Sequence, residues 1–332
     1  MADLKLTLAC WDYDRTRALF DGRVRPQGIE LELSTSYNVG EIMERMLRNR
    51  QFDVSELGIT YYLRSIELAG APFIAIPVFP NRFFRHSAIF VNATKGISSP
   101  KDLAGRKVGE LHRYGHDAGI WAKGALSDDF GVKANGMEHY VGGMDRTVNA
   151  ADWAPFDPPA DVKINYLAPT QGLDDMLVNG EIDALFTAHI PPSARKNPDR
   201  VRRLFADYEA VERDYFRRTG IFPIMHTVVI RRDVYEKNRW IARALMQAFE
   251  DAKALAIKAY NASDIFFNAP SMIPWFVSLR DKNRALMGED FWPYGVEANR
   301  KTLEACLRFH HEQGILKRRY AVDELFAPET LG

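Results

Sequence analysis

An alternation of short strands and helices over residues 4–78 limits the fold more than any other feature of the chain. Leu4-Lys5-Leu6-Thr7-Leu8-Ala9-Cys10 and Ile29-Glu30-Leu31-Glu32-Leu33 switch between apolar and polar residues with the two-residue period of a strand. Asn38 or Gly40 caps a helix that runs to Arg50, with Ile42, Met43, Met46 and Leu47 on one face. Phe52–Leu57 reads as a third strand, Gly58–Tyr62 opens another helix, and Phe73–Val78 is a buried apolar run. A β-α-β-α-β series of this kind implies a parallel sheet covered by helices.

Asn81–His86 interrupts the series, and a second α/β unit follows. Its strands are expected at Ser87–Asn92, Lys107–Gly109, Glu138–Val141, Val162–Leu167 and the stretch from Glu181 to Phe186. Its helices are expected at Ile120–Phe130, Gly172–Asn179 and Tyr208–Arg218. Trp153–Ala160 is a Pro-rich loop. Ile221–Ile230 reads as a strand-like return, and the chain is mostly helical from Val234 onward. Two α/β units joined by two crossings match the plan of the type II periplasmic-binding-protein fold: two lobes, an inter-lobe cleft and a helical C-terminal segment. The expected division is 1–88 with 222–332 for the first lobe and tail, and 89–221 for the second.

Composition excludes several partners. Of 332 residues, 46% are hydrophobic and 27% charged, and the formal net charge is zero, so nothing favours nucleic acid or an anionic membrane surface. No apolar run is long enough to span a bilayer. Met1 leads straight into a strand with no basic stretch, apolar segment or cleavage site, so a cytoplasmic protein is expected. Cys10 and Cys306 form no CxxC pair and suit a reducing compartment, with Cys10 a buried thiol. The aromatic residues of the C-terminal third, Phe266, Phe267, Trp275, Phe276, Phe291 and Trp292, fit packing on the first lobe or the interface of a homo-oligomer equally well.

The densest group of titratable residues lies in Glu110–Ala118, between an expected strand and a helix: Glu110, His112, Arg113, Tyr114, His116 and Asp117. Ligands of open α/β sheets bind at such strand ends and helix starts, which makes this loop one wall of a small-anion site.

Three stretches resemble the 4,5-dihydroxyphthalate decarboxylase family. They are HDAGIWAKG (His116–Gly124), the run from Arg203-Leu204-Phe205 through GIFPIMH (Gly220–His226), and LMGEDFWPYGVEANR (Leu286–Arg300). Glu138–Asp145 and the Pro-rich loop depart from the resemblance. The resemblance implies the fold given above and loss of carbon dioxide from a hydroxylated aromatic dicarboxylate, 4,5-dihydroxyphthalate giving protocatechuate. That chemistry needs a base for the phenol para to the leaving carboxylate, an acid for the ring carbon and cations for the other carboxylate. No organic cofactor is required, because the hydroxylated ring is its own electron sink.

The residues that suit these roles are Arg82, Arg85 and Arg113 as carboxylate clamps, and His116, His189 and His226 as acid and base. His116 begins a helix, where the dipole suits a neutral base. Trp11, Tyr13 and Tyr114 are candidates to sandwich a flat ring, whereas Tyr61 reads as core. His86 joins the substrate-binding set. His86, His112, His116, His189 and Glu110 are the only grouping that suggests a divalent metal. HExxH is absent and Gly115 breaks the spacing, so no metal is expected. His310-His311 and Lys317-Arg318-Arg319 read as solvated charge. A small aromatic carboxylate is thus the expected partner. Two competing functions are a solute-binding protein for a transporter and another cytoplasmic enzyme of this fold, chorismate dehydratase-like or thiamine-pyrimidine synthase-like.

Overall fold

The computed structural model describes residues 3–145, 157, 159–266 and 270–332. The chain forms two compact units. One takes Met1–Asn81, His226–Leu303 and Ala321–Gly332; the other takes Arg82–Met225 and Glu304–Tyr320.

The first unit is built on five strands: β1 (Leu4–Ala9), β2 (Ile29–Ser34), β3 (Val54–Gly58), β4 (Phe73–Ile76) and the late strand β11 (His226–Arg231). Their order is β2-β1-β3-β11-β4. β1 is parallel to β2 and β3, as the strand–helix alternation demands, while β11 inserts antiparallel between β3 and β4. The helix Val39–Asn49 starts where Asn38 accepts from the Gly40 N–H, and it buries Ile42, Met43 and Met46. All five residues of β3 are buried, so Glu56 in its middle is a carboxylate inside a central strand.

The second unit carries six strands: β5 (Ile89–Asn92), β6 (Lys107–Leu111), β7 (Glu138–Gly142), β8 (Lys163–Tyr166), β9 (Ala184–Phe186) and β10 (Val201–Arg203). Their order is β10-β5-β9-β6-β7-β8. β6 is parallel to β7 and β9, and β5 is antiparallel to β9 and β10. Ile89, Val91, Val108, Ala122, Leu126, Ala184 and Phe186 pack one face of this sheet, and Phe90, Leu111, Leu173, Leu177 and Leu185 the other.

Three expectations need correction. The return is a strand only over His226–Arg231, because Pro223 lacks an N–H for a ladder. Ile224 instead makes an isolated antiparallel bridge with Arg82, and the Phe83 N–H donates to the Pro223 carbonyl. Residues 304–320 belong to the second unit rather than to the first lobe's tail. There the Phe309 ring lies where a Cβ on Gly124 would meet it at 2.3 Å, Gln313 donates to the Ile120 carbonyl, and Arg308 pairs with Asp128. His310 is buried rather than solvated, its Nδ1 2.7 Å from the Cys306 carbonyl one turn back. The Pro-rich loop lies outside the described residues except for Asp157, Pro159 and Ala160, and so does Phe267. Among the described residues no helix is long and apolar enough to cross a membrane.

Candidate active site

In the second unit the polar loop is folded around Glu110, which ends β6 with no exposed surface. Lys123, from the helix Asp117–Phe130, donates to both carboxylate oxygens at 2.9 and 2.7 Å. The Gly115 N–H donates at 2.7 Å, and His139 and His116 bring Nδ1 to 3.3 and 3.6 Å. Burial pushes the Glu110 carboxyl up, but the charge of Lys123 and the two histidines outweigh it and hold it well below the usual range. Lys123 also stands 3.7 Å over the Tyr114 ring. The loop reverses through left-handed backbone at His112 (φ 64°) and Gly115 (φ 74°). For His112 this conformation carries strain, and such strain clusters at functional sites.

Around this anchor stand cation-bearing groups without matching anions. Arg85 is buried, and its guanidinium reaches only the Met225 thioether, at 3.1 and 2.8 Å, and the Phe83 ring. Among the described residues no carboxylate comes within ion-pairing distance of it. Burial lowers its pKa to about 10 against the distant pull of Asp117 and Glu212. His112 and His189 meet edge to face at 6.0 Å between ring centroids. His112 is lowered to about 4 by burial first, then by His116, His189 and Arg113. His189 is lowered by partial desolvation, then by His116 and Arg85. Each of these groups feels the others as positive charge, which marks a local field suited to an anion.

In the first unit a second buried carboxylate gathers donors. Glu56 accepts from the Tyr13 hydroxyl at 2.7 Å, the Trp11 N–H at 2.9 Å and the Cys10 thiol at 3.3 Å, and lies 2.6 Å from His226 Nδ1. Burial alone would raise its carboxyl. The hydrogen bond and charge of His226, with the Trp11 and Tyr13 donors, bring it below the ordinary value. Val228 lies opposite Glu56 across β3 and β11, so His226, two residues earlier, projects from the same face on the diagonal.

The structure therefore gathers Arg85, Arg113, His116 and His189 in the second unit, and Trp11, Tyr13 and His226 in the first. Trp11 keeps an exposed ring (40%), in edge contact with Tyr13. Tyr13 is not free to sandwich a substrate, because its hydroxyl is committed to Glu56 and Arg15 covers its ring at 4.0 Å. Tyr114 is fully buried under Lys123 and beside His139, with no face left for a ligand. His86 is buried against Phe205 and Tyr215 with no polar partner for either nitrogen, and burial lowers it to about 4. Arg82 is buried too, donating to the Phe222 carbonyl at 3.2 Å. Sequence reasoning missed Glu56, Lys123 and His139. A signal for Glu56 was present: a glutamate between Val54 and Leu57 in a strand expected to be covered on both faces needs a buried partner.

Among the described residues, no three His, Cys, Asp or Glu side chains are grouped to hold a metal ion. The histidines and Glu110 weighed as ligands are not such a set, since Glu110 is taken on both oxygens by Lys123. A cavity of about 440 Å³ opens on the far side of Lys123, but it balances Lys123, Lys133 and Arg308 against Asp128, Asp161 and Glu312, with no aromatic ring among its described lining residues. That lining offers no net charge for a dicarboxylate and no platform for a ring, so the histidine loop is the better site.

No family model matches the chain. Among solved structures it is similar to the periplasmic sulfonate-binding protein SsuA of Methylobacillus flagellatus KT (TM-score 0.55, 15% identity, 99% of this chain and 93% of that one). It is also similar to the periplasmic aliphatic sulphonate binding protein SsuA of Escherichia coli (TM-score 0.51, 14% identity, 99% of each chain). At these identities the likeness shows the fold, which is that of periplasmic binding proteins. In sequence the chain is 31% identical over 331 residues to the 4,5-dihydroxyphthalate decarboxylase of Comamonas testosteroni, spanning 100% of this chain and 98% of the relative. It is 31% identical over 217 residues to that of Pseudomonas putida, spanning 65% of this chain and 83% of the relative. The chain belongs to the 4,5-dihydroxyphthalate decarboxylase family. It is an enzyme, a carboxy-lyase acting on a small molecule.

Proposed function

We propose that this carboxy-lyase converts 4,5-dihydroxyphthalate to protocatechuate and carbon dioxide. The observation that carries the reading is Arg85, a buried guanidinium whose hydrogen-bonding groups meet only a thioether. A thioether is a weak acceptor. A planar carboxylate is the ligand that suits a guanidinium held this way. In the proposed reaction Arg85, with Arg113, holds the carboxylate that stays on the ring. His116, set on Glu110 at the start of its helix, takes the proton of the hydroxyl para to the carboxylate that leaves. The phenolate directs electron density to the carbon bearing that carboxylate, and an acid protonates this carbon. The carbon–carboxylate bond then breaks, its electron pair restores the aromatic ring, and the phenolate takes its proton back from His116. The ring is the electron sink, so no cofactor enters the scheme. Both cysteines are free and buried, which supports the cytoplasm as the compartment.

The test is Arg85→Met. Losing a charge-assisted pair to substrate is worth about 1.5–3 kcal/mol, so KM rises on the order of 10- to 100-fold. Stability to urea stays equal or increases, because no carboxylate partner is stranded. An unchanged KM, or a loss of several kcal/mol in stability, contradicts the assignment.

A further inference from the structure

We infer that Glu56 is a positioning residue for this enzyme: it fixes His226 as the Nδ1–H tautomer, so that Nε2 is the atom that delivers the proton to the ring carbon. The inference rests on the decarboxylation proposed above and supplies the acid that the scheme needs.

The geometry is that of a carboxylate behind a working imidazole. Glu56 has no exposed surface, and each donor around it is accounted for. Trp11 contributes a backbone N–H, Tyr13 a hydroxyl, Cys10 a thiol and His226 its Nδ1. Oε2 faces the Trp11 N–H and the Cys10 thiol, and Oε1 faces Tyr13 and His226. A carboxylate only accepts, so Nδ1 must donate to it. Nε2 is then the nitrogen that gains and loses a proton, and among the described residues it has no protein partner. A buried carboxylate at Nδ1 also stabilises the imidazolium that exists before Nε2 gives its proton up. In the proposed step the Nε2–H bond breaks, the proton bonds to the ring carbon, and the imidazole is left neutral with Nδ1–H still on Glu56. Water restores the Nε2 proton after carbon dioxide has gone. A merely structural role would need a glutamate that closes a hydrogen-bond network. It would not need a histidine as the fourth donor with its other nitrogen unengaged.

The same geometry makes Glu56→Gln a diagnostic substitution. The backbone N–H of Trp11 can only donate, so the amide oxygen takes the place of Oε2. The amide NH₂ then faces Tyr13 and His226. The Tyr13 hydroxyl can turn to accept, but His226 Nδ1 must lose its hydrogen to do so, which moves the proton to Nε2.

The experiment uses the full chain labelled with ¹⁵N-histidine. Ring nitrogen shifts of His226 are read in the wild type and in Glu56→Gln, and kcat and KM for carbon dioxide release are measured with hydroxylated phthalates and benzoates. The expected result is Nδ1–H in the wild type, Nε2–H in the variant, and kcat lower by at least about 10²-fold with KM within about threefold. In a double-substitution cycle, Glu56→Gln adds little to the loss caused by His226→Gln. An Nε2–H tautomer in the wild type overturns the inference without any variant, so a Glu56→Gln protein that fails to fold does not protect it. A tautomer that switches while kcat stays within threefold also overturns it. If the wild type releases carbon dioxide from none of the compounds, the proposed function fails and takes the catalytic role of Glu56 with it. The tautomer reading separates that result from a failure of the Glu56–His226 geometry itself.

Discussion

At the scale of residues, charge that is buried without a matching partner is the most informative feature of the chain. Arg85 is one case and His86 the opposite one. His86 sits between Phe205 and Tyr215 with both nitrogens unpartnered, and burial lowers it from 6.5 to about 4. A folded-state value below the unfolded one means stability that is complete above pH 6.5 and lost as pH falls toward 4. At pH 4.5 this amounts to about 2–3 kcal/mol. His86→Phe removes that dependence. Urea unfolding at pH 7.5 and 4.5 is expected to show a wild type that weakens more than the variant by about that amount; equal slopes would show that His86 already has a polar partner. These environments were only half legible in the sequence. The types of residue in the loop Glu110–Ala118 mark a site, but whether a histidine meets carboxylate or phenyl rings is decided by neighbours 43 to 170 positions away, as at Glu56 with Tyr13 and His226. Local pattern does not carry that information.

At the scale of elements, the start of the helix Asp117–Phe130 is fitted to the carboxylate beneath it. A Cβ on Gly119 would stand 2.2 Å from Glu110 Oε1 and 3.1 Å from His116 Nδ1. Glu110 cannot yield, since Lys123 and the Gly115 N–H hold it. Gly119→Ala is therefore expected to cost about 2–4 kcal/mol in unfolding free energy, by overpacking and by disturbing a buried ion pair. Gly136→Ala, where a Cβ meets nothing within 4 Å, is expected to stay within about 0.5 kcal/mol. Equal effects at the two positions would contradict the fit. Most strands and the longer helices followed from periodicity, because burial on one face writes itself into a short stretch. The helix start at Asp117, three residues before the apolar run that announced it, did not. It is set by the contact of Gly119 with Glu110 rather than by the pattern of apolar residues.

At the scale of the whole molecule, the division into two α/β units followed from the order of elements, and the points of passage did not. The chain passes between units at 81/82 and 225/226 and again at 303/304 and 320/321. The last pair is invisible in the sequence, since an amphipathic helix declares an apolar face without naming what covers it. The zero net charge excluded whole classes of partner and left the anion-binding charge to be local, which is how Arg85, His112 and His189 present it. The central claim is that the chain is a carboxy-lyase using the ring hydroxyl of its substrate as electron sink. The most direct measurement is carbon dioxide release from 4,5-dihydroxyphthalate beside phthalate, which has the same two carboxylates and no hydroxyl. The account predicts carbon dioxide and protocatechuate in equal amounts from the first and neither from the second. Tight binding of 4,5-dihydroxyphthalate without carbon dioxide release would contradict it.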